Sequence, residues 1–168
     1  PSVVFGLLGM QVLVPAVART FGRASGACLL SAIVVLAVMI LPGIVSVSVT
    51  ALNAVPPEYE QGSLALGATD VETWFKVSVP AARSGIAAGI VLGIGRAIGE
   101  TAVVLYTMGQ AINLPISPLD SGRPMTVHLY LLANDGINMN AAYGTALLLM
   151  VIILAFNLFA RFLSRKRR

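Results

Sequence analysis

The chain has 168 residues and a formal net charge of +4; 57% of its residues are hydrophobic and only 11% are charged. A soluble domain carries about 25% charged residues, so this composition excludes an ordinary soluble protein and indicates an integral membrane protein. Uncharged runs such as 24–57 and 136–160 exceed the roughly 20 apolar residues that a membrane helix needs, and they are too continuous for a membrane β-barrel. The sequence therefore predicts an all-α, polytopic helical bundle.

Four membrane helices are predicted in chain order, over residues 1–17, 27–47, 80–108 and 141–162. The third has about 29 residues and a length of about 43 Å, so it must tilt, bend or project from the hydrocarbon core. Small residues at four-residue spacing let a neighbouring helix backbone approach closely. The third helix carries a glycine series that follows this spacing for the most part: Gly85, Gly89, Gly93, Gly95 and Gly99. The series predicts packing at the centre of a bundle, with a hinge as the alternative.

The basic end of the chain sets the predicted orientation. A basic cluster just beyond an apolar run marks the cytoplasmic side of a membrane protein. The positive charge therefore does not indicate nucleic-acid binding, and the C-terminus is predicted to be cytoplasmic. Residues 110–140 then form an external loop, and residues from about 48 to 79 form a cytoplasmic loop. The cluster holds five of the eleven Lys and Arg residues: Arg161, Arg165, Lys166, Arg167 and Arg168.

Several chemistries lack their residues in this sequence. Cys28 is the single cysteine, which excludes an intrachain disulfide and a cysteine metal cluster. Neither lysine lies in a Gly-rich phosphate loop, and the one histidine, His128, belongs to no His-Glu-x-x-His motif, so the sequence argues against an ATPase and an intramembrane protease. The chain opens at Pro1 with neither Met nor the basic n-region of a signal peptide, which is typical of the interior of a longer protein.

The cytoplasmic loop is predicted to form two short helices. The first starts at Pro56-Pro57 with Glu58 and Glu60 in its first turn, where acidic groups suit the helix dipole, and it ends or bends at Gly67. Residues 69–72 match a capping box, which opens the second helix, and Pro80 is predicted to open the third membrane helix. The apolar residues of the loop either pack against membrane helices or dock a cytoplasmic partner: Leu64, Leu66, Trp74 and Phe75.

Arg96 and Glu100 interrupt the uncharged stretch that runs from residue 84 to residue 119. A continuous helix would carry them on one face, one turn apart. Each charge costs about 2.5 to 3.5 kcal/mol at the centre of a membrane helix on the insertion scale. Such charges usually face a bundle interior or a substrate path, which makes a functional role the leading hypothesis. The alternative is an internal ion pair that helps the helices to pack.

Residues 61–80, the signature loop, resemble the cytoplasmic signature of ABC importer permeases. That signature reads Glu-Ala-Ala, three residues, Gly, nine residues, Ile, one residue, Leu-Pro. Gly67 and Pro80 match at the same spacing, whereas Gln61 replaces Glu and so keeps an acceptor oxygen but loses the charge. The positions that carry the resemblance, and that it implies as the ATPase-docking loop, are Gln61, Gly62, Ser63, Leu64, Ala65, Leu66, Gly67, Val77 and Pro80, with Val79 as a further conservative replacement.

Within that family the chain is most similar to permeases of the bacterial phosphate importer, the Pst system, and more to the A-type subunit. Such permeases have six membrane helices, so the resemblance implies a single permease domain over residues 1–168 from which the N-terminal part is missing. The stretches that carry this likeness are residues 1–7, 67–69, 80–86, Arg96, 99–102 and 141–147.

The resemblance implies a multi-pass permease of the bacterial inner membrane, in contact with lipid, that imports phosphate by alternating access. Its expected partners are a second permease subunit, two cytoplasmic ATPase subunits that use ATP, and an extracytoplasmic phosphate-binding protein. The chain itself would be no enzyme and would bind no cofactor or metal. Arg96, Glu100 and Thr101 are the expected substrate pathway, because a guanidinium offers planar, bidentate donors to phosphate. A permease for another oxyanion and a non-transporting membrane scaffold remain alternatives, and the external loop either connects helices or contacts the binding protein.

Overall fold

The computed structural model describes residues 1–134, 136 and 138–165, with side chains described as far as residue 160. Within these residues the chain is helical and contains no strand. The helices are α1 (Ser2–Phe21), α2 (Leu29–Asn53), α3 (Pro57–Ala65), α4 (Asp70–Ile98), α5 (Ala102–Thr107), α6 (Met125–Asn134) and α7 (Met139–Arg165).

Four helices are long and apolar enough to cross a membrane: α1, α2, α4 and the Met139–Ala160 part of α7. This confirms the prediction of an all-α membrane protein with about four transmembrane helices. Helix α2 continues to Asn53, so the loop predicted from about residue 48 starts after that residue. The basic cluster at 161–168 lies outside the described side chains, and the cytoplasmic C-terminus stays a prediction.

The third membrane helix differs from its predicted span of 80–108 at both ends. It begins at Asp70, so the second short helix predicted for the cytoplasmic loop is the first part of α4 and not a separate element. It ends at Ile98, because Gly99 is a poor helix former and the Glu100 N–H closes a tight turn onto the Ala97 carbonyl at 3.2 Å. Residues 102–107 therefore form a helix of their own.

Wide helical turns explain how two prolines lie inside helices, one of which, Pro80, was predicted to open its helix. A π turn spans Gly9–Leu13 in α1, just before Pro15, and another spans Trp74–Ser78 in α4, just before Pro80. In a regular α-helix the proline ring clashes with the carbonyl four residues earlier. Both of those carbonyls belong to π turns, whose wider spacing accommodates the ring. Pro80 is thus an interior residue of α4.

The external loop contains a helix that the sequence analysis did not predict. Residues 113–124 are irregular, but Met125–Asn134 forms α6. Its ten residues are too few to span a membrane, and polar residues such as His128 interrupt its apolar pattern. Packing stabilises α6, since Val127 is fully buried in it.

Two compact units make up the chain. Within the described residues, the first combines residues 1–40 with those between 96 and 156, and the second combines residues 41–95 with those from 157 onwards. Glu100 belongs to the first unit and the signature loop to the second.

In the first unit, apolar side chains of α2, α5 and α6 form the core. Val103 and Val127 have no exposed surface and anchor two adjoining clusters. Helix α1 packs closely because it presents Gly9, where an added β-carbon would lie 2.7 Å from side-chain carbons of Thr107 and Val35. This close approach brings α1 into contact with both α5 and α2.

In the second unit, the glycine series of α4 packs against α2. An added β-carbon at Gly89 would lie 3.1 Å from Val47, and one at Gly93 would lie 2.7 Å from Ile44. Gly85 lies against Ala51, whose short side chain cannot move aside. The packing role predicted for the glycines is confirmed at these three positions.

The packing of Gly85 against Ala51 gives a stability prediction. We expect Gly85→Ala to destabilise the chain by about 1 to 3 kcal/mol, because the new methyl group overlaps a packed helix. Thermal unfolding in detergent measures this change. The matched control is Gly43→Ala on α2, where an added β-carbon meets nothing within 4 Å and where alanine stabilises a helix by roughly 0.5 to 1 kcal/mol. Equal unfolding temperatures for the two variants would contradict the packing assignment.

Candidate functional site

Helix α3 starts as the sequence predicts. Pro56 is its N-cap and Pro57 its first residue. An N–H at that position would have no partner within the helix, so proline loses no hydrogen bond there. Glu58 and Glu60 occupy the first turn, where their charges interact favourably with the N-terminal end of the helix dipole. Local sequence alone therefore fixes where α3 begins.

The turn after α3 requires glycine. Gly67 has a φ of +86°, in the left-handed region that a side chain strains. The Gly67 N–H bonds to the Leu64 carbonyl at 2.9 Å, and the Ala68 N–H bonds to the Ser63 carbonyl at 3.3 Å. These two bonds form a Schellman motif, which satisfies the last carbonyls of the helix. The predicted turn at Gly67 is confirmed.

A capping box opens α4 directly after this turn. The Glu72 N–H donates to Thr69 Oγ1 at 3.3 Å, and the Thr69 N–H donates to Glu72 Oε2 at 3.2 Å. Glu72 also pairs with Lys76 at 3.0 Å on the surface. The capping box is the one that the sequence predicts, and it sets the direction in which α4 leaves the turn.

Two side-chain hydrogen bonds that the sequence analysis missed join α3 to α4. The hydroxyls of Ser63 and Thr73 share a hydrogen bond at 2.8 Å, and Ser78 Oγ donates to Glu60 Oε1 at 2.7 Å. Glu60 and Ser63 are three residues apart, so they lie on one face of α3. From the sequence, that spacing predicts that both side chains contact the same neighbouring element, although it does not identify the element.

Several large apolar residues of the signature loop are exposed in this chain. Leu66 is 92% exposed at the turn, and Phe75 and Val71 also lie mostly in the open. Trp74 stacks edge-on against Phe75 with ring centroids 4.8 Å apart, which holds the pair in a fixed orientation. Gln61 is exposed as well. Within the described residues, the loop thus presents large apolar side chains that its own fold leaves uncovered.

The structure separates Arg96 and Glu100 by a helix end. Arg96 lies in the last turn of α4 with an exposed side chain, whereas Glu100 is half-buried beyond that helix. The expectation that one helix face carries both is therefore wrong. The described residues contain one ion pair shorter than 4 Å, between Lys76 and Glu72. Arg96 and Glu100 do not form the internal pair that was the structural alternative.

The segment between α4 and α5 is ordered by its backbone. Thr126 Oγ1 on α6 donates to the Glu100 carbonyl at 3.1 Å, and the Thr101 carbonyl accepts the Leu105 N–H at 2.9 Å. Thr101 is the N-cap of α5, and its side chain makes no capping bond. The three predicted pathway residues Arg96, Glu100 and Thr101 thus lie within or beside one helix break, and among the described residues their side chains form no ion pair within 4 Å.

The irregular part of the external loop closes over the start of α2. Arg123 donates from Nε and Nη2 to the Gln110 carbonyl at 3.1 and 2.9 Å. The carbonyls of Pro118 and Asp120 accept the N–H groups of Leu30 and Leu29 at 2.7 and 3.0 Å. Those N–H groups have no partner within their own helix. The loop therefore caps α2, a role compatible with either function predicted for it.

Comparison with known proteins identifies the family. All residues from 1 to 168 match the family described as "Binding-protein-dependent transport system inner membrane component". The chain therefore belongs to this family of membrane transport permeases. No solved structure matches the chain at a significant level.

Three relatives illustrate its likeness to named proteins. It is 38% identical, over its whole length, to the probable ABC transporter permease protein YqgH of Bacillus subtilis. It is 32% identical over 95% of its length to the phosphate transport system permease protein PstC of Xylella fastidiosa. It is 31% identical over 92% of its length to the probable phosphate transport system permease protein PstA of Methanocaldococcus jannaschii. The aligned regions cover 56%, 54% and 54% of these relatives, so the chain spans about half their length.

The turn at Gly67 gives a prediction about the order of the signature loop. We expect Gly67→Ala to raise amide hydrogen exchange at residues 63–69 about tenfold, since an L side chain in the left-handed region costs about 1 to 2 kcal/mol. The control is Gly62→Ala, inside α3, where an added β-carbon meets nothing within 4 Å. Unchanged exchange in the Gly67 variant would show that the turn does not depend on glycine.

Proposed function

We propose that this chain is the transmembrane permease subunit, or part of one, of an ATP-driven importer that carries inorganic phosphate across the bacterial inner membrane. The observation that carries the transport class is the family match over the whole chain. The phosphate cargo is supported by relatives whose names assign them to phosphate transport systems. Those relatives include both the C-type and the A-type, so the A-type assignment is a proposal from the sequence motifs alone.

The proposed assembly contains a second permease subunit, two cytoplasmic ATPase subunits and an extracytoplasmic phosphate-binding protein. ATP is bound and hydrolysed in the ATPase, so this chain needs no cofactor of its own and is not an enzyme. It crosses the membrane several times with its C-terminus in the cytoplasm. The uncovered Leu66, Phe75 and Val71 of the signature loop support the docking role. Full burial of one such side chain against a partner contributes about 1.5 to 3 kcal/mol.

The proposed phosphate path passes Arg96, Glu100 and Thr101. The guanidinium of Arg96 is exposed and has no acidic partner within 4 Å among the described residues, so its planar donors are free for an oxyanion. Glu100 lies just beyond the helix and offsets the positive charge when the path is empty. The negative charge of Glu100 would also weaken phosphate binding at Arg96. Weak binding suits transport, because a transported ion must be released as well as bound.

The experiment that tests the function is reconstitution of the chain with the partner subunits, followed by uptake of labelled phosphate. We expect phosphate uptake that requires ATP and the binding protein and that excess unlabelled sulfate does not reduce. Competition by sulfate would support the alternative of a permease for another oxyanion. Uptake that proceeds equally well without this chain would favour the alternative that the chain is a non-transporting membrane scaffold.

A substitution at Arg96 tests the proposed path. Arg96→Lys keeps the charge but loses the bidentate geometry, so we expect phosphate uptake to fall about tenfold or more, as the loss of a hydrogen bond worth about 1.5 to 3 kcal/mol implies. Arg83→Lys, at another exposed arginine of α4, is the matched control and should transport normally. If Arg96→Lys assembles with its partners and imports phosphate at the parental rate, the proposed role of Arg96 is wrong.

A further inference from the structure

Helix α3 is attached to α4 by polar contacts and by one turn. It has nine residues and none of them is buried. An isolated helix of this length is marginal in water, so its position depends on what holds it. The turn at Gly67 holds one end. The hydrogen bonds between Ser63 and Thr73 and between Ser78 and Glu60 fix one face of α3 against α4.

The α4 side of these contacts is firmly placed. Thr73 is 4% exposed and Ser78 is 2% exposed, and both lie within or next to the π turn at the start of the helix. Their partners Glu60 and Ser63 lie nearly one turn apart on α3. Two bonds at separate points along a helix stop it from swinging about the Gly67 turn, which a single bond would allow.

We propose that these two hydrogen bonds make α3 and the first part of α4 move as one body, and so convert displacement of α3 by the bound ATPase into movement of α4. Glu60, Ser63, Thr73 and Ser78 are then positioning residues for transport. Ser63 belongs to the predicted docking loop, but in this proposal its hydroxyl serves contact within the chain and not the hold on the ATPase. This proposal rests on the proposed function of the signature loop.

The arrangement also separates the roles of two adjacent residues. Glu60 is engaged by Ser78 at 2.7 Å and is directed towards α4. Gln61, one residue further along α3, is rotated by about 100° and remains exposed. The Glu60 carboxylate therefore does not replace the carboxylate that Gln61 lacks, because it serves contact within the chain.

The test uses the assembled transporter and compares phosphate imported per ATP hydrolysed. The main variant combines Ser63→Ala, Thr73→Val and Ser78→Ala. It removes both hydroxyls of one bond, which avoids leaving a buried hydroxyl unpaired, and the exposed Glu60 is free to bind water. We expect the ATPase to copurify as with the parental chain, while phosphate imported per ATP falls at least about fivefold, as the loss of two hydrogen bonds implies.

Milder variants keep the test decisive if the triple variant does not insert. Ser78→Ala alone should lower the ratio at least about twofold, and Ser78→Thr, which keeps a hydroxyl, should restore it. Glu58→Gln is the control on the same helix, because Glu58 makes none of these contacts and should leave the ratio unchanged.

An unchanged ratio in Ser78→Ala and in the triple variant would overturn the proposal. Loss of ATPase copurification in step with the ratio would also overturn it, since the bonds would then serve docking and not transmission. A parental chain that neither copurifies with the ATPase nor supports phosphate uptake would instead overturn the proposed function, and this inference with it.

Discussion

Buried backbone N–H and C=O groups must find their hydrogen-bond partners within the protein, and several helix bends and helix ends of this chain depend on this constraint. The π turns before Pro15 and Pro80 let two apolar helices continue past residues that cannot donate. At the break after α4, Thr126 supplies a partner for the Glu100 carbonyl. At the start of α2, the external loop supplies carbonyls to the first N–H groups. Among the described residues, no buried side-chain oxygen or nitrogen lacks a partner.

Close helix contact in the apolar spans is achieved through small residues. Lipid is as apolar as a leucine side chain, so association within a bilayer relies on packing and on hydrogen bonds. Gly9 in α1 and the series from Gly85 to Gly93 in α4 remove the side chains that would hold neighbouring backbones apart. The exposed outer surfaces of these helices are largely apolar, as expected for chains that face lipid or further membrane helices.

Local motifs were predictable from the sequence, and non-local contacts were not. The Pro56-Pro57 start, the Gly67 turn and the capping box at Thr69 each depend on residues within a few positions of one another, and all three are present in the structure. The composition and the uncharged runs were sufficient to predict four membrane helices.

Pro80 was wrongly predicted to open a helix, because a π turn can accommodate a proline inside one. The bonds from Ser63 to Thr73 and from Glu60 to Ser78 connect residues ten and eighteen positions apart, and only the fold brings them together. The end of α4 at Ile98 was likewise missed, because the tight turn at Glu100 and its contact with α6 are features of the tertiary structure.

The most direct test of the account is cross-linking between the signature loop and the ATPase in the assembled transporter. In a Cys28→Ala background, Leu66→Cys places a thiol on the turn, and Ile116→Cys places one on the external loop at a residue that is 95% exposed. A thiol-reactive cross-linker should join Leu66→Cys to the ATPase subunit and leave Ile116→Cys unlinked, since the two lie on opposite sides of the membrane in the proposed topology. Cross-linking at Ile116→Cys, or none at Leu66→Cys in a transporter that still imports phosphate, would contradict the account.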